Sequence, residues 1–518
     1  MAEAAGKYRL GIDVGGTNTD AVILDPSLKV IAKHKASTTA DVVGGVRDAM
    51  GAVLASSKLA RDDIGRVMLG TTHATNAVLE RRDLATVAVV RVGGPATKSV
   101  PPLCTWPDEL RQAVSVGEVI IDGGFEFDGQ EQVPFDEGQL RDFLNALEAE
   151  PDAFAVASVF APVSDAHERA AAEVIREHYP NAQISLSSSI GSLGLIEREN
   201  ASVLNGALMR VARNIVEGLQ QALDHHGLDA VPYFAQNDGT LMAIDRVLQF
   251  PVLTIGSGPA NSMRGAAHLS GLNEAIVIDV GGTSTDIGVL AAGFPRESTI
   301  PVEIGGVRTN FRMPDLLALA LGGGTVVKQD GALRVGPESV GHRLTTEGQC
   351  FGGETLTVSD IVNAGGRASF GTHSVDGVEA DTVASTLRLI DEMLEDGVDR
   401  MKLARSDQPV IAVGGGSVVV APSLAGASEI HRPENFDVAN AIGAAIAAVS
   451  AEIDQLFTIG PEGRDAVIDG AKNEAINAAV AVGSDPDATE VVSLEELTMA
   501  YMTDNILRLR IKAAGPLR

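Results

Sequence analysis

The chain has 518 residues, 45% hydrophobic, 21% charged and only 4% aromatic, with 56 glycines against 22 prolines; this composition is globular and excludes disordered and collagen-like chains. Lys and Arg number 40 against 69 Asp and Glu, a formal charge of −29, and that field repels phosphate backbones and anionic lipid, arguing against nucleic acid or a membrane as partner. Cys104 and Cys350 alone build neither a disulfide framework nor an all-cysteine zinc site, and no signal core follows Met1, so a cytoplasmic protein is expected.

In chain order, the first element is a hairpin in YRLGIDVGGTNTDAVILD, from Tyr8. A short apolar run with Leu10 and Ile12 turns through a Gly-Gly pair and resumes as a strand from Ala21 to Leu24. The segment GTTHATNAVLERR, Gly70 to Arg82, reads as a polar loop capping a helix from Asn76. Ser164 or Asp165 is placed to N-cap a helix at His167-Glu168, and Leu204, Leu208, Val211, Ile215 and Leu219 form a helical core stripe. A second hairpin follows in AIVIDVGGTSTDIGVLAA, from Ala275, and then a Gly322-Gly323-Gly324-Thr325 turn. Val383, Leu387, Ile390, Leu394, Val398 and Met401 recur at helical spacing before a strand, Pro409 to Val413, that runs into Gly414-Gly415-Gly416-Ser417 and a further helix. The uncharged stretch from Gln408 to Ser428 has the length of a membrane span, but its three glycines and Pro422 mark it as strand, loop and helix start.

The two hairpins repeat the pattern D-V-G-G-T-x-T-D, with Asp13 and Asp279 lying 266 residues apart. That interval is far longer than any solenoid period and indicates two large related halves. One such hairpin is an ordinary acidic turn; two copies of an eight-residue pattern are not. Glycine lets backbone N–H groups close on a phosphate, and Thr17 and Thr283 add hydroxyl donors. An aspartate at the end of a buried strand is costly unless it meets a cation, which makes Asp13 and Asp279 candidate magnesium ligands. The pattern is not that of a Walker loop. A glycine turn also lets a flat base and ribose approach the backbone; Gly414 to Ser417 is preferred for this over Gly322 to Thr325 because of its strand–turn–helix context. Neither cysteine carries a context arguing for a thiol nucleophile.

Two D-x-G-G-T hairpins and a later G-G-x-S turn resemble the actin, sugar-kinase and heat-shock-chaperone ATPase superfamily. More closely, GTTHATNAVLERR, SGPANSMRGA (Ser257 to Ala266), IDVGGTSTDIGV and GPESVG resemble the hydantoinase/oxoprolinase family, in the same order along the chain. The resemblance implies an α/β fold of two RNase H-like lobes with ATP and magnesium in the interlobe cleft. It implies ATP-dependent opening of a cyclic amide, often with a second, different hydantoinase-type subunit. Gly15, Gly16, Thr17 and Asn18 would bracket the β- and γ-phosphates from one lobe and Gly281, Gly282, Thr283 and Ser284 from the other. Asp286 would orient the nucleophile or a metal-bound water beside Asp13 and Asp279, and Thr72, His73 and Asn76 would face the substrate.

The sequence departs from that pattern in HRLTTEGQCFGGE, in ERENASVLNGA (Glu197 to Ala207) and in an early C-terminus, which leaves the substrate open. Carboxylase-like use of the same activation is an alternative. So is a chaperone- or reactivase-type ATPase, to which DVANAIGAA (Asp437 to Ala445) lends support, and a small-molecule kinase, for which no sugar-binding signature is seen. The expected division is a first lobe over residues 1–190, a second over 191–455, and a C-terminal helix and strands over 456–518 packing back on the body.

Overall fold

Short, nearly continuous apolar runs such as Ala21–Leu24 and Ala275–Ile278 give each half of the chain a sheet that buries both faces. The computed structural model describes residues 7–518 apart from 17, 38–41, 192, 299, 312, 376 and 498–505. In the first half, β1 (Tyr8–Val14), β2 (Asn18–Leu24) and β3 (Val30–Ser37) form an antiparallel meander; β4 (Ile64–Thr71) pairs parallel with β1, and β5 (Val231–Ala235) parallel with β4. The second half repeats this. β6 (Ala275–Val280) and β7 (Thr285–Ala291) form the hairpin, β8 (Leu316–Leu319) pairs antiparallel with β7, and β9 (Gln408–Val413) and β10 (Ala427–His431) follow in parallel. The orders β3-β2-β1-β4-β5 and β8-β7-β6-β9-β10 are therefore the same arrangement twice. This is the duplicated, two-lobed α/β architecture of the actin-like ATPases.

Helices fill the faces, among them α1 (Val42–Ser57), α2 (Ser257–Ser270), α3 (Ala380–Met401) and α4 (Ala439–Ile446). In the first lobe Ile12, Ala21 and Ile23 meet Val46, Met50 and Val53 of α1, while Val22 and Leu24 meet Ala441, Ile442 and Ala445 of α4. In the second, Ile276, Ile278 and Ile287 meet Ile390, Leu394 and Val398 of α3, while Val277 and Leu290 meet Met263 and Ala266 of α2. The helices α2 and α4 cross between the lobes at nearly bare backbone. A Cβ on Gly443 would stand 1.8 Å from the Asn261 carbonyl oxygen, and one on Gly265 would stand 2.0 Å from that of Ala439.

The sheets do not follow the expected division at residue 190. Between β4 and β5 the chain inserts a separate four-stranded parallel sheet, within residues 87–186, and then returns, so the first lobe needs Val231–Ala235 to continue its sheet. The second lobe's sheet begins only at Ala275. After β10 the chain crosses back through α4, and β11 (Val449–Thr458), β12 (Glu490–Leu497) and β13 (Ile506–Gly515) extend the first sheet, in the order β12-β13-β11, through a short strand at Leu241–Ala243. Two local expectations also change. The helix after the GTT segment is His73–Glu80, with Thr72 at the capping position and Asn76 inside it, because the chain turns directly off the end of β4. A 3-10 turn, Ser417–Val419, follows Gly416 where a helix was expected; the Arg432 guanidinium instead donates to the carbonyl oxygens of Val420 and Ala421.

Candidate functional site

Each hairpin tip is closed by the same bond: the Gly15 N–H donates to the Asn18 carbonyl oxygen and the Gly281 N–H to that of Ser284, both at 2.9 Å. The two tips face one cavity of about 690 Å³ between the lobes. Asp13, Gly15, Gly16 and Asn18 line it from the first lobe and Asp279, Gly281, Gly282, Thr283, Ser284 and Asp286 from the second. Thr17 lies outside the described residues. Gly414 and Gly415 line the cavity, whereas Gly416 and the buried Ser417 do not. Gly414 has φ of +85°, and a Cβ there would stand 2.2 Å from Asp279 Oδ1, so only glycine lets this turn pass the carboxylate. The rival Gly322–Thr325 turn does not line the cavity. It braces the second tip from behind, the Gly323 and Gly324 N–H groups donating to the carbonyls of Gly281 (3.0 Å) and Gly282 (2.7 Å).

The carboxylates come as cross-strand pairs: Asp13 opposite Asp20 and Asp279 opposite Asp286. Burial, reinforced by Asp20, pushes the Asp13 carboxyl up to about 7, although the side-chain amides of Asn261 on α2 and Asn440 on α4 donate to its two oxygens at 3.4 Å. Burial and the neighbouring Asp279 raise Asp286 to about 7 as well, and burial raises Asp20 and Asp279. Of these four carboxylates only Asp20 has an ammonium at hydrogen-bond distance, that of Lys35 at 2.6 Å. Among the described residues no three His, Cys, Asp or Glu side chains converge as a ready-made metal cage. The set fits a magnesium ion that keeps waters and shares its coordination with phosphate oxygens, which needs only one or two carboxylates.

The cavity is also lined by Thr72, Thr75, Asn76 and Leu79 and by Glu303, Ile304, Gly305 and Met313. The hairpin of Val302–Ile304 and Val307–Thr309 reaches from the second lobe onto the first, where Asn200 donates to the Arg308 carbonyl oxygen at 2.9 Å. Thr72 and Asn76 line the cavity. His73 does not: it is absent from the cavity wall, its Nδ1 sits 2.8 Å from the Thr71 hydroxyl, and burial lowers its pKa. Cys350 is buried and its thiol is pushed up to about 12, so it is no nucleophile.

Two family profiles match the chain: the Hydantoinase/oxoprolinase N-terminal region over residues 9–179, and Hydantoinase/oxoprolinase over residues 198–372. The chain belongs to the hydantoinase/oxoprolinase family. Relatives in this family include the caprolactamase subunit alpha of Pseudomonas jessenii, 25% identical over 68% of this chain and 54% of that protein. The acetophenone carboxylase gamma subunit of Aromatoleum aromaticum is 26% identical over 68% and 52%, and 5-oxoprolinase 1 of Arabidopsis thaliana 27% identical over 68% and 31%. The chain spans about half the length of the first two relatives it matches. Among solved structures, the ATP-dependent caprolactamase from Pseudomonas jessenii superposes with a TM-score of 0.75 at 19% identity, covering 98% of this chain and 87% of that one. Nucleotide-free acetone carboxylase superposes with a TM-score of 0.72 at 16% identity, covering 98% and 88%. Both likenesses confirm the fold.

Within this hydantoinase/oxoprolinase site, several lining residues carried no assignment from sequence: Asp20, Lys35, Asn440, Glu303, Met313 and His342. Asp20 was within reach, since it holds in the first repeat the place of Asp286 in the second. Asn261 and Asn440 lay inside recognisable strings, but that both would donate to one carboxylate depends on the crossing of α2 and α4. Lys35 and Glu303 sit on strands with no motif.

Proposed function

We propose that the chain is an ATP-dependent amidohydrolase that activates the oxygen of a cyclic amide by phosphorylation and so drives ring opening. The observation that carries this reading is the interlobe cavity lined by two matched phosphate-type hairpins together with a Thr-Asn and apolar wall. In the reaction the amide oxygen takes the γ-phosphoryl of ATP and ADP leaves. Water adds to the activated carbon, the ring C–N bond opens with the nitrogen protonated, and phosphate departs. Gly16 and Gly282 would present backbone N–H groups to the phosphates from opposite lobes, Gly15 and Gly281 closing the two turns, and Gly414 and Gly415 would admit the nucleoside. Asp13 and Asp279 would hold magnesium, which when bound neutralises charge on the transferring group. Asp286 orients the attacking group. Thr72, Thr75 and Asn76 supply hydroxyl and amide groups for the substrate, and lobe closure limits loss of ATP to water.

A carboxylase subunit using the same activation on a ketone is the second reading. It is favoured by relatives that are acetophenone and acetone carboxylase subunits. Relatives named as alpha, beta and gamma subunits support a companion polypeptide of the same family. The test follows ADP and ring-opened acid across lactams, hydantoins and 5-oxoproline, for the chain alone and with such a companion. Stoichiometric ADP and acid are expected. ADP formed only with a ketone and bicarbonate selects the carboxylase, and strong ATPase indifferent to every carbonyl compound overturns both.

A further inference from the structure

The two lobes repeat their acidic pairs but not what stands beside them. Across the first sheet, Asp13 on β1, Asp20 on β2 and Lys35 on β3 occupy one row of directly opposed residues. Across the second sheet the same row reads Asp279, Asp286 and Ala318. The fold is therefore built at this station with or without a lysine. Lys35 reaches back along the row, its Nζ donating to Asp20 Oδ1 and Oδ2 at 2.6 and 2.7 Å, and its side chain keeps 30% of its surface open. It lines the cavity from the first lobe, with its Cε 4.0 Å from where a Cβ on Gly415 of the second lobe would stand. Its neighbour two residues earlier, Lys33, pairs with Asp437.

The charge of the cavity makes this position consequential. Asp13, Asp20, Asp279, Asp286, Glu303 and Asp437 line it, and among the described lining residues Lys35 is the only lysine or arginine. A triphosphate carries about four negative charges and keeps about two after magnesium, in a site whose glycine N–H groups supply only partial charge. Resting on the reading of this cleft as an ATP site, we propose that Lys35 is the phosphate-binding cation, paired with Asp20 before the triphosphate enters and transferred to its terminal phosphates on binding. The exchange replaces one charge-assisted pair by another and leaves the Asp20 carboxylate facing the phosphate end. It makes the cleft prefer a triphosphate to a diphosphate, because the partner Lys35 gains is the part of the ligand that the diphosphate lacks.

Calorimetric titration of Mg·ATP and Mg·ADP into the wild type, Lys35→Met, Lys35→Arg and the double variant Asp20→Asn/Lys35→Met tests this. The double variant removes the unpaired buried carboxylate and so guards against simple loss of fold. Both Met variants are expected to bind ATP about tenfold or more weaker while ADP changes by less than about threefold, and Lys35→Arg to recover part of the ATP affinity. Equal losses for ATP and ADP, tracking a fall in melting temperature, would mean that the Lys35–Asp20 pair only holds β2 and β3 together and overturns the proposal. Unchanged affinities overturn it as well. If the wild type binds neither nucleotide, the ATP reading itself fails, an outcome distinguishable from a wild type that binds and a Met variant that discriminates normally.

Discussion

Asp13 shows how function and stability pull apart at a single side chain. Its carboxyl, ordinarily near 3.8, is held at about 7 chiefly by burial, so the folded protein favours the proton. The corresponding stability is fully present below the unfolded value and is lost as pH rises through about 7. Nucleotide-free protein is therefore expected to melt at a higher temperature at pH 5 than this group alone would allow at pH 8. Asp13→Asn, which keeps the amide contacts with Asn261 and Asn440 within reach, should narrow that gap and raise the pH 8 melting temperature, by an amount worth about 1 kcal/mol or more. The same substitution removes a charge from the magnesium end of the cleft. ATP turnover should fall by more than the roughly 10–100-fold that loss of an outer-shell metal partner costs. A destabilised Asp13→Asn protein with intact turnover would count against both roles. The aspartates and glycines of the two hairpins were legible from residue type and spacing alone, because a repeated octet is local information. His73 was not: the same polar loop serves the cavity with Thr72 and Asn76 while the imidazole turns to Thr71, and that depends on where the helix begins.

At the scale of elements, the α2–α4 crossing does the work of placing the lobes. Gly265 and Gly443 remove the side chains that would hold the helices apart, so Asn261 and Asn440 arrive together at Asp13. Gly443→Ala inserts a Cβ against backbone, which cannot rotate away, and is expected to cost about 1–3 kcal/mol and to weaken nucleotide binding in parallel. Gly470, on the exposed face of the helix Arg464–Ala481 with open space around it, is the control: Gly470→Ala should stabilise by about 0.5–1 kcal/mol and leave nucleotide affinity unchanged. Urea denaturation and nucleotide titration of the two variants check this pair of outcomes. The hairpins, the helix Ala380–Met401 and the strand Gln408–Val413 could be anticipated from periodicity, since each buries one patterned face. The strap Val302–Thr309 could not, because its three-residue strands are held by contacts with the other lobe rather than by any pattern of their own.

Across the whole molecule, Lys512 joins parts that sequence separates widely. It is 5% exposed, and from β13 its ammonium meets Asp238 at 2.7 Å and Glu297 at 2.9 Å, so those two carboxylates raise its pKa against the effect of burial. Asp238 lies in the turn after β5 and Glu297 after β7, so one cation links the C-terminal strands to both lobes. Lys512→Met would take the shared ammonium from both carboxylates, and is expected to cost about 3–5 kcal/mol. Chemical denaturation gives the magnitude, and a loss below about 1 kcal/mol would show that the trio is solvated in solution. The placement of the strands Val231–Ala235, Val449–Thr458, Glu490–Leu497 and Ile506–Gly515 in the first lobe's sheet was beyond the reach of spacing, since strand neighbours chosen across an insertion leave no local trace.

That interleaving has a consequence in time. The inner face of β2, Val22 and Leu24, is covered by α4, whose residues follow more than 400 positions later. At a synthesis rate of roughly 5–20 residues per second, the first hairpin waits about 20–80 s on the ribosome before its cover exists. The apolar strands made first are thus the last to be sealed. Contacts of such sequence separation also slow refolding from denaturant, because a long loop must close before they form. For a growing chain, the glycine-lined junction of α2 and α4 therefore closes only after Ile446 has been made, and β2 keeps an apolar face uncovered until then.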